Sequence, residues 1–160
     1  SDNDPRLPLS LARADDGSIA ANVRTVEGYK AMFGAQRLET TSGLMQALVN
    51  ALGNNNEMYH ELAVGLMTEL APRDPMEGML ISQLSATHIA ISSFSRQMLN
   101  ATNSELREGY ERSLTRLERT FIAQMAALKK YREKPQSRTQ IGNVTVNDGG
   151  QAIVGSVAAG

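Results

Sequence analysis

RDPMEGMLISQLSATHIAISSFSRQMLNATNSELREGYERSLTRLERTFIAQMAALKKYREK, residues 73–134, is the stretch on which the fold turns. It opens with a three-part helix start. Asp74 is a good N-cap, and Pro75 takes the first helical position, where its missing N–H costs nothing. Glu77, three residues after the cap, is placed to reach back to the cap's own N–H and to favour the positive helix end. Leu80, Leu84, Thr87, Ile91, Phe94 and Met98 then step by four and three, the alternation of a heptad seam. Ile81 and Ile89 widen that stripe, so this helix is expected to touch more than one neighbour. Thr102 to Glu105 looks like a second capping box, opening a helix that runs to about Glu133. Its face is Leu106, Tyr110, Leu114, Leu117, Phe121, Met125, Leu128 and Tyr131. About thirty residues at 1.5 Å each span about 45 Å. Two long antiparallel helices joined at residues 100–102 make a rod, and a rod exposes its second side unless copies pack together.

Towards the N-terminus, TTSGLMQALVNALGN offers Thr41 or Ser42 as N-cap, then Leu44, Leu48, Val49 and Leu52 at helical spacing, with Gly53 as the stop. NNEMYHELAVGLMTELAP repeats the scheme with Asn55 or Asn56 as cap, a stripe of Met58 or Tyr59, Leu62, Leu66 and Leu70, and Pro72 as the end. VEGYKAMFGAQRL holds a short helix interrupted at Gly34. Residues 1–25 mix Pro, Asp, Gly and Ser without sustained periodicity and read as a flexible arm that orders on binding. The organisation expected is therefore an arm (1–25), short helices (26–72), the long hairpin (73–134) and a C-terminal β-element (135–160).

That last element starts after Lys134-Pro135 breaks the helix. Val144 and Val146 alternate with Asn143, Thr145 and Asn147; Asn147-Asp148-Gly149-Gly150 is a turn signal; Ile153, Gly155 and Val157 line one side of a return strand. A hairpin alone in water is marginal, so the sequence predicts that it is covered, either by a helix of the same chain or, in the favoured reading, edge to edge by the hairpins of other subunits.

Composition narrows the chemistry. The chain has 160 residues, no Cys and no Trp, three Phe, four Tyr and eight Met, and its net charge is −1. Disulfides and thiolate chemistry are excluded, and packing rests on Leu, Ile, Val, Met and Ala. No run approaches the ~20 apolar residues of a membrane span, and no secretion signal is seen, so the expected place is the cytoplasm. From Asn103 to Arg138 nine basic residues face five acidic ones, whereas residues 38–72 contain no Lys or Arg. One end basic and another acidic suits head-to-tail packing of copies or a localised acidic partner.

No residue pattern announces catalysis. His60 and His88 lack ligand spacing and read as ordinary surface or hydrogen-bonded histidines; no metal or other cofactor is expected. Asp74 and Glu77 are accounted for by capping. Gly149-Gly150 and Gly155 are not a phosphate loop, because no Lys-Ser/Thr follows them. KKYREK, residues 129–134, reads first as a solvated, dipole-favoured helix end and second as a nucleic-acid contact.

APRDPMEGMLISQLSATHIA, TFIAQMAALKKYR and VTVNDGGQAIVGSV resemble, in the same order, three segments of a family of uncharacterised bacterial proteins. Members run loosely P-x-D-x-x-E-x-M-L-x-x-Q-M-x-A-x-H, then T-F-x-x-Q-M-E-A-L-x-x-Y-R, then a His- and Val-rich strand ending G-G-Q-A-I-V-G-x-V. The resemblance covers residues 71 to 158 and implies no activity. Ala126 stands where members often have Glu, and the strand lacks their His, so no metal site carries over. In layout the chain resembles phage small terminase subunits, in which helices form a ring and C-terminal strands close a barrel. Their usual N-terminal DNA-binding helix-turn-helix would fall on residues 38–72, which hold no basic residue to contact phosphate.

The expectation is a mainly α homo-oligomer, a cyclic ring of helical hairpins joined by C-terminal β-hairpins, acting as a non-enzymatic assembly protein of phage type and a small-terminase-like DNA-packaging ring. Its partners are then itself and DNA or a second assembly protein, with no membrane. The DNA-contacting candidates are Arg112, Arg116, Arg119, Lys129, Lys130 and Arg132. The oligomer-interface candidates are Leu80, Leu84, Ile91, Phe94, Met98, Leu114, Leu117, Phe121, Val144, Val146, Ile153 and Val157. The alternative is a protein-binding adaptor that uses its helical face or β-edge.

Overall fold

A computed structural model describes residues 6, 8–13, 15, 19–53 and 57–133. These form a two-stranded antiparallel sheet followed by five helices: β1 (Pro8–Arg13), β2 (Ile19–Val23), α1 (Val26–Met32), α2 (Leu38–Leu52), α3 (Glu57–Leu70), α4 (Pro75–Leu99) and α5 (Ser104–Glu133). The mainly α class and the long α4–α5 hairpin match the sequence expectation. The predicted C-terminal β-hairpin, with Val144, Val146, Ile153 and Val157, lies outside the described residues.

Pro8–Arg13 and Ile19–Val23 are strands where the sequence reading expected part of a flexible arm. Leu11 pairs with Ala21 and Arg13 with Ile19, with one irregularity between Pro8 and Ser10. Leu11, Ala21 and Val23 pack against the helical core, which gives this short hairpin the cover it needs. Asp16-Gly17 between Leu9, Leu11 and Ile19, Ala21, Val23 is the hairpin signal that the lack of longer periodicity hid.

The core sits at one end of the molecule. Met32, Phe33, Ala63, Met67 and Ile81 are wholly inaccessible, and Tyr29, Met45, Leu48, Val64, Ile89 and Leu128 are buried around them. Thr25 caps α1, its side chain accepting from the Gly28 N–H at 3.0 Å. The chain then turns through Gly34, at φ +64°. A side chain at Gly34 would meet the Asp74 backbone N at 2.5 Å, and one at Gly78 would meet the Phe33 carbonyl O at the same distance. The α1–α2 turn is thus pressed on the first turn of α4, an approach that only two facing glycines permit.

Three local expectations are corrected. The first concerns α2, which starts at Leu38, before Thr41 and Ser42; its N-cap Arg37 makes no side-chain cap bond. Thr41 is buried, and its hydroxyl donates to the Arg37 carbonyl at 3.0 Å, satisfying itself inside the first turn. The second concerns α3, whose buried face is His60, Ala63, Val64, Met67 and Thr68, while Leu62 is 41% exposed. Small Ala63 lets α3 close on the core; of the predicted stripe Leu62 turns outward, Leu66 is half-buried, and Tyr59 and Leu70 pack against the edge of the core. The third concerns α5, whose cap is Asn103, one residue later than Thr102; its side chain accepts from the Leu106 N–H at 2.9 Å.

Helix α4 is the central element, packing against α2, α3 and α5. Gly78, Ile81, Ser85 and Ile89 are buried on it. Beyond Ile89 no residue of α4 is buried, and α5 buries only Leu114 and Leu128. The far half of the hairpin is therefore a two-helix rod held by its own seam, including Phe94 against Tyr110 (ring centroids 5.9 Å apart) and His88 against Phe121 (5.8 Å).

Candidate functional site

The most concentrated polar arrangement lies where α4 begins and α5 ends. Asp74 caps α4 as the sequence predicts, accepting from the Glu77 N–H at 3.0 Å with Pro75 at the first helical position. Glu77 does not perform the capping-box return. Its side chain is wholly inaccessible, and Oε2 accepts from the Arg73 N–H at 2.9 Å while Oε1 takes the Arg73 Nε at 2.6 Å. From α5, Arg132 brings Nη2 to 3.2 Å and Nε to 3.3 Å of Oε2. Burial alone would push the Glu77 carboxyl up. The Arg73 N–H, the Arg73 guanidinium and Arg132 together outweigh it and hold the carboxyl below its ordinary value of 4.5.

Arg132 has a second task. Its Nη2 donates to the carbonyl of Leu70, a free carbonyl at the C-terminal end of α3, just before Ala71 takes φ +43°. Beside it the Tyr131 hydroxyl donates to Asp74 Oδ2 at 3.0 Å, a bond that raises the phenol above its ordinary 10.0. One glutamate thus ties three helix ends together through two arginines. With every carboxylate oxygen occupied by a donor from the chain, the arrangement is a clamp and offers no open base or nucleophile.

This geometry reassigns Arg132. As a nucleic-acid candidate it was expected to face outward, but its guanidinium is committed to Glu77 and Leu70. Arg112, Arg116, Arg119, Lys129 and Lys130 are exposed. Arg112, Arg116, Arg119 and Lys130 follow steps of four, three and eleven, which keeps them on the side of α5 opposite Leu114. Arg112 lies 3.8 Å from Glu108 in an exposed pair; among the described residues the other three have no ion pair. The structure thus brings together a line of solvent-facing cations about 27 Å long.

The predicted interface residues divide. Leu84 and Leu114 are buried, and their surface is spent inside the chain's own seam. Leu80 also packs against the core. Ile91, Phe94, Met98, Leu117 and Phe121 are half-buried, and near them Leu99, Leu106, Ile122 and Met125 are 77%, 49%, 62% and 44% exposed. An unmarked groove of about 260 Å³ runs between α2 and α4, floored by Leu48 and edged by Ala47, Ala51, Met79 and Ala86. It is smaller than the roughly 300–1,000 Å³ of small-molecule pockets and carries few polar groups.

His60 departs from the expectation of an ordinary surface or hydrogen-bonded residue. It is buried, and its Nε2 has no partner among the described residues, as is also true of Gln124 Oε1. Among the described residues no three His, Asp or Glu side chains converge as metal ligands, and no helix is long and apolar enough to cross a membrane. Comparison with protein-family models, curated proteins and solved structures finds no match to this chain.

Proposed function

We propose that this chain is a non-enzymatic assembly protein that works as a homo-oligomer of helical hairpins. The observation that carries the proposal is the far half of the hairpin. Past Ile89 the two helices bury nothing but Leu114 between them and leave Phe94, Met98, Leu99 and Leu106 half or largely exposed. Large apolar side chains left exposed close together at the end of a rod suit a protein interface. The polar residues support the same reading: Glu77 and Asp74 are consumed in holding helix ends, so the rigid part of the molecule positions a surface rather than a reacting group. Mass measurement in solution tests this. The intact chain should sediment as a multiple of 17.3 kDa, and Met98→Glu with Leu106→Glu should return it to the single-chain mass. A single-chain mass for the unaltered protein at every concentration would end the proposal.

A second reading keeps the phage packaging role and has its own support. The cations at Arg112, Arg116, Arg119 and Lys130 lie on the face opposite the seam, where they would remain open to phosphates in an assembled ring. Binding to duplex DNA that falls steeply with salt, and that R116E with R119E abolishes, supports it. No binding at low salt removes it.

A further inference from the structure

Two faces of the molecule, on different helices, have matching chemistry and are both turned away from the helix they pack on. On α3, Leu62 is 41% exposed and lies between the exposed carboxylates of Glu61 and Glu69. Residues 38–72 contain no Lys or Arg, so no cation of α2 or α3 tempers this face. On α5, Ile122 is 62% exposed beside the exposed Ala123 and Ala126, and Arg119 and Lys130 stand at the two ends of that patch. Among the described residues none of these four charged side chains has an ion-pair partner. Their spans are comparable, about 12 Å from Glu61 to Glu69 and about 17 Å from Arg119 to Lys130.

Both helices pack on α4, with Ala63 and Met67 on the buried side of α3 and Leu114 and Leu128 on that of α5, so each of the two faces points away from α4. We infer that they join in different copies: the Glu61–Leu62–Glu69 face of one chain seats on the Arg119–Ile122–Lys130 face of the next, with Ala123 and Ala126 letting the backbones come close. Such a contact is heterologous. Repeated, it closes into a ring or runs on as a filament, which a two-fold patch would not do. The pairing deepens the assembly reading above and rests on it. It assigns the α5 cations to the neighbouring chain, where the packaging reading assigns them to nucleic acid.

Charge reversal tests the pairing on the full chain by sedimentation at matched concentration and salt. Glu61→Lys with Glu69→Lys should lower the mass, and so should Arg119→Glu with Lys130→Glu. The chain carrying all four substitutions should regain the wild-type mass, because each face again meets its opposite. Misfolding by either pair would not be repaired in that way. If both pairs keep the wild-type mass while Met98→Glu with Leu106→Glu lowers it, the face pairing is overturned and the assembly reading stands. If the pairs dissociate but the fourfold variant does not recover, the pairing is overturned. A wild-type single chain at every concentration overturns both. Loss of DNA binding in the α5 pair at unchanged mass overturns the pairing and gives that face to nucleic acid.

Discussion

Glu77 shows how much one residue's position decides. A carboxylate with no exposed surface is costly unless paired, and two arginines, one just before α4 and one near the end of α5, supply the pairing. Removing one partner of such a group costs about 3–5 kcal/mol; because Arg73 and Arg132 stay partly exposed and can be rehydrated, Glu77→Gln is expected at the lower end, about 3 kcal/mol by denaturant unfolding. The pH dependence follows from the same contacts. The folded carboxyl titrates below its ordinary 4.5, so its contribution is complete above that value and is lost as pH falls through the folded one. Wild-type stability should therefore drop on acidification below about pH 4.5, and Glu77→Gln should lack that component. Equal acid slopes in the two proteins would remove the clamp. In the sequence Glu77 was visible as a helix-start residue; its partner Arg132, 55 positions away, was not, because sequence spacing carries no sign of which residues a fold brings together.

At the scale of elements, the glycines separate packing from propensity. Gly78 faces the Phe33 carbonyl at 2.5 Å from its notional Cβ, whereas Gly43, in α2, has nothing within 4 Å. Gly78→Ala should destabilise by about 2 kcal/mol through overpacking, and Gly43→Ala should stabilise by about 1 kcal/mol through helix propensity. Thermal unfolding of the two variants checks both signs. The existence of α1 to α5 was legible because each carries a helical stripe or a stop, and Gly53 and Asp74-Pro75 mark ends where the structure has them. Faces were less legible. The Leu62, Leu66 and Leu70 stripe of α3 has the right period, but only its Leu70 end reaches the core, and Ala63 and Met67 on the neighbouring stripe take the centre because a small residue allows a closer helix approach. β1 and β2 were missed for a related reason: a five- or six-residue strand offers too few alternations to stand out unless the Asp-Gly between them is weighed.

The whole molecule is unevenly stable by construction. Its buried residues gather where α1, α2 and α3 meet the first half of α4, and the clamp at Glu77 fastens the end of α5 there. The hairpin end, from about Ser92 to Ser113, has no buried residue at all. Hydrogen exchange should accordingly be slowest around Gly78–Ile89 and fastest at Leu99–Leu106 in dilute protein. Protection at Leu99–Leu106 should rise with protein concentration when copies cover the tip. Uniform protection along α4, independent of concentration, would contradict this layout.

Local sequence was sufficient for what depends on near neighbours: five helices, the cap and proline that start α4, the long hairpin and the separation of acidic from basic stretches. Each is written within a few residues, at the range where hydrogen bonding and side-chain periodicity act. Tertiary structure alone decided which stripe of α3 is core, that Arg132 turns inward to Glu77 while Arg116, Arg119 and Lys130 stay outside, and that an N-terminal β-hairpin is held against the helices. Those outcomes depend on contacts between residues far apart in the chain, where packing volume and the cost of burying charge select among faces that the local pattern leaves equivalent.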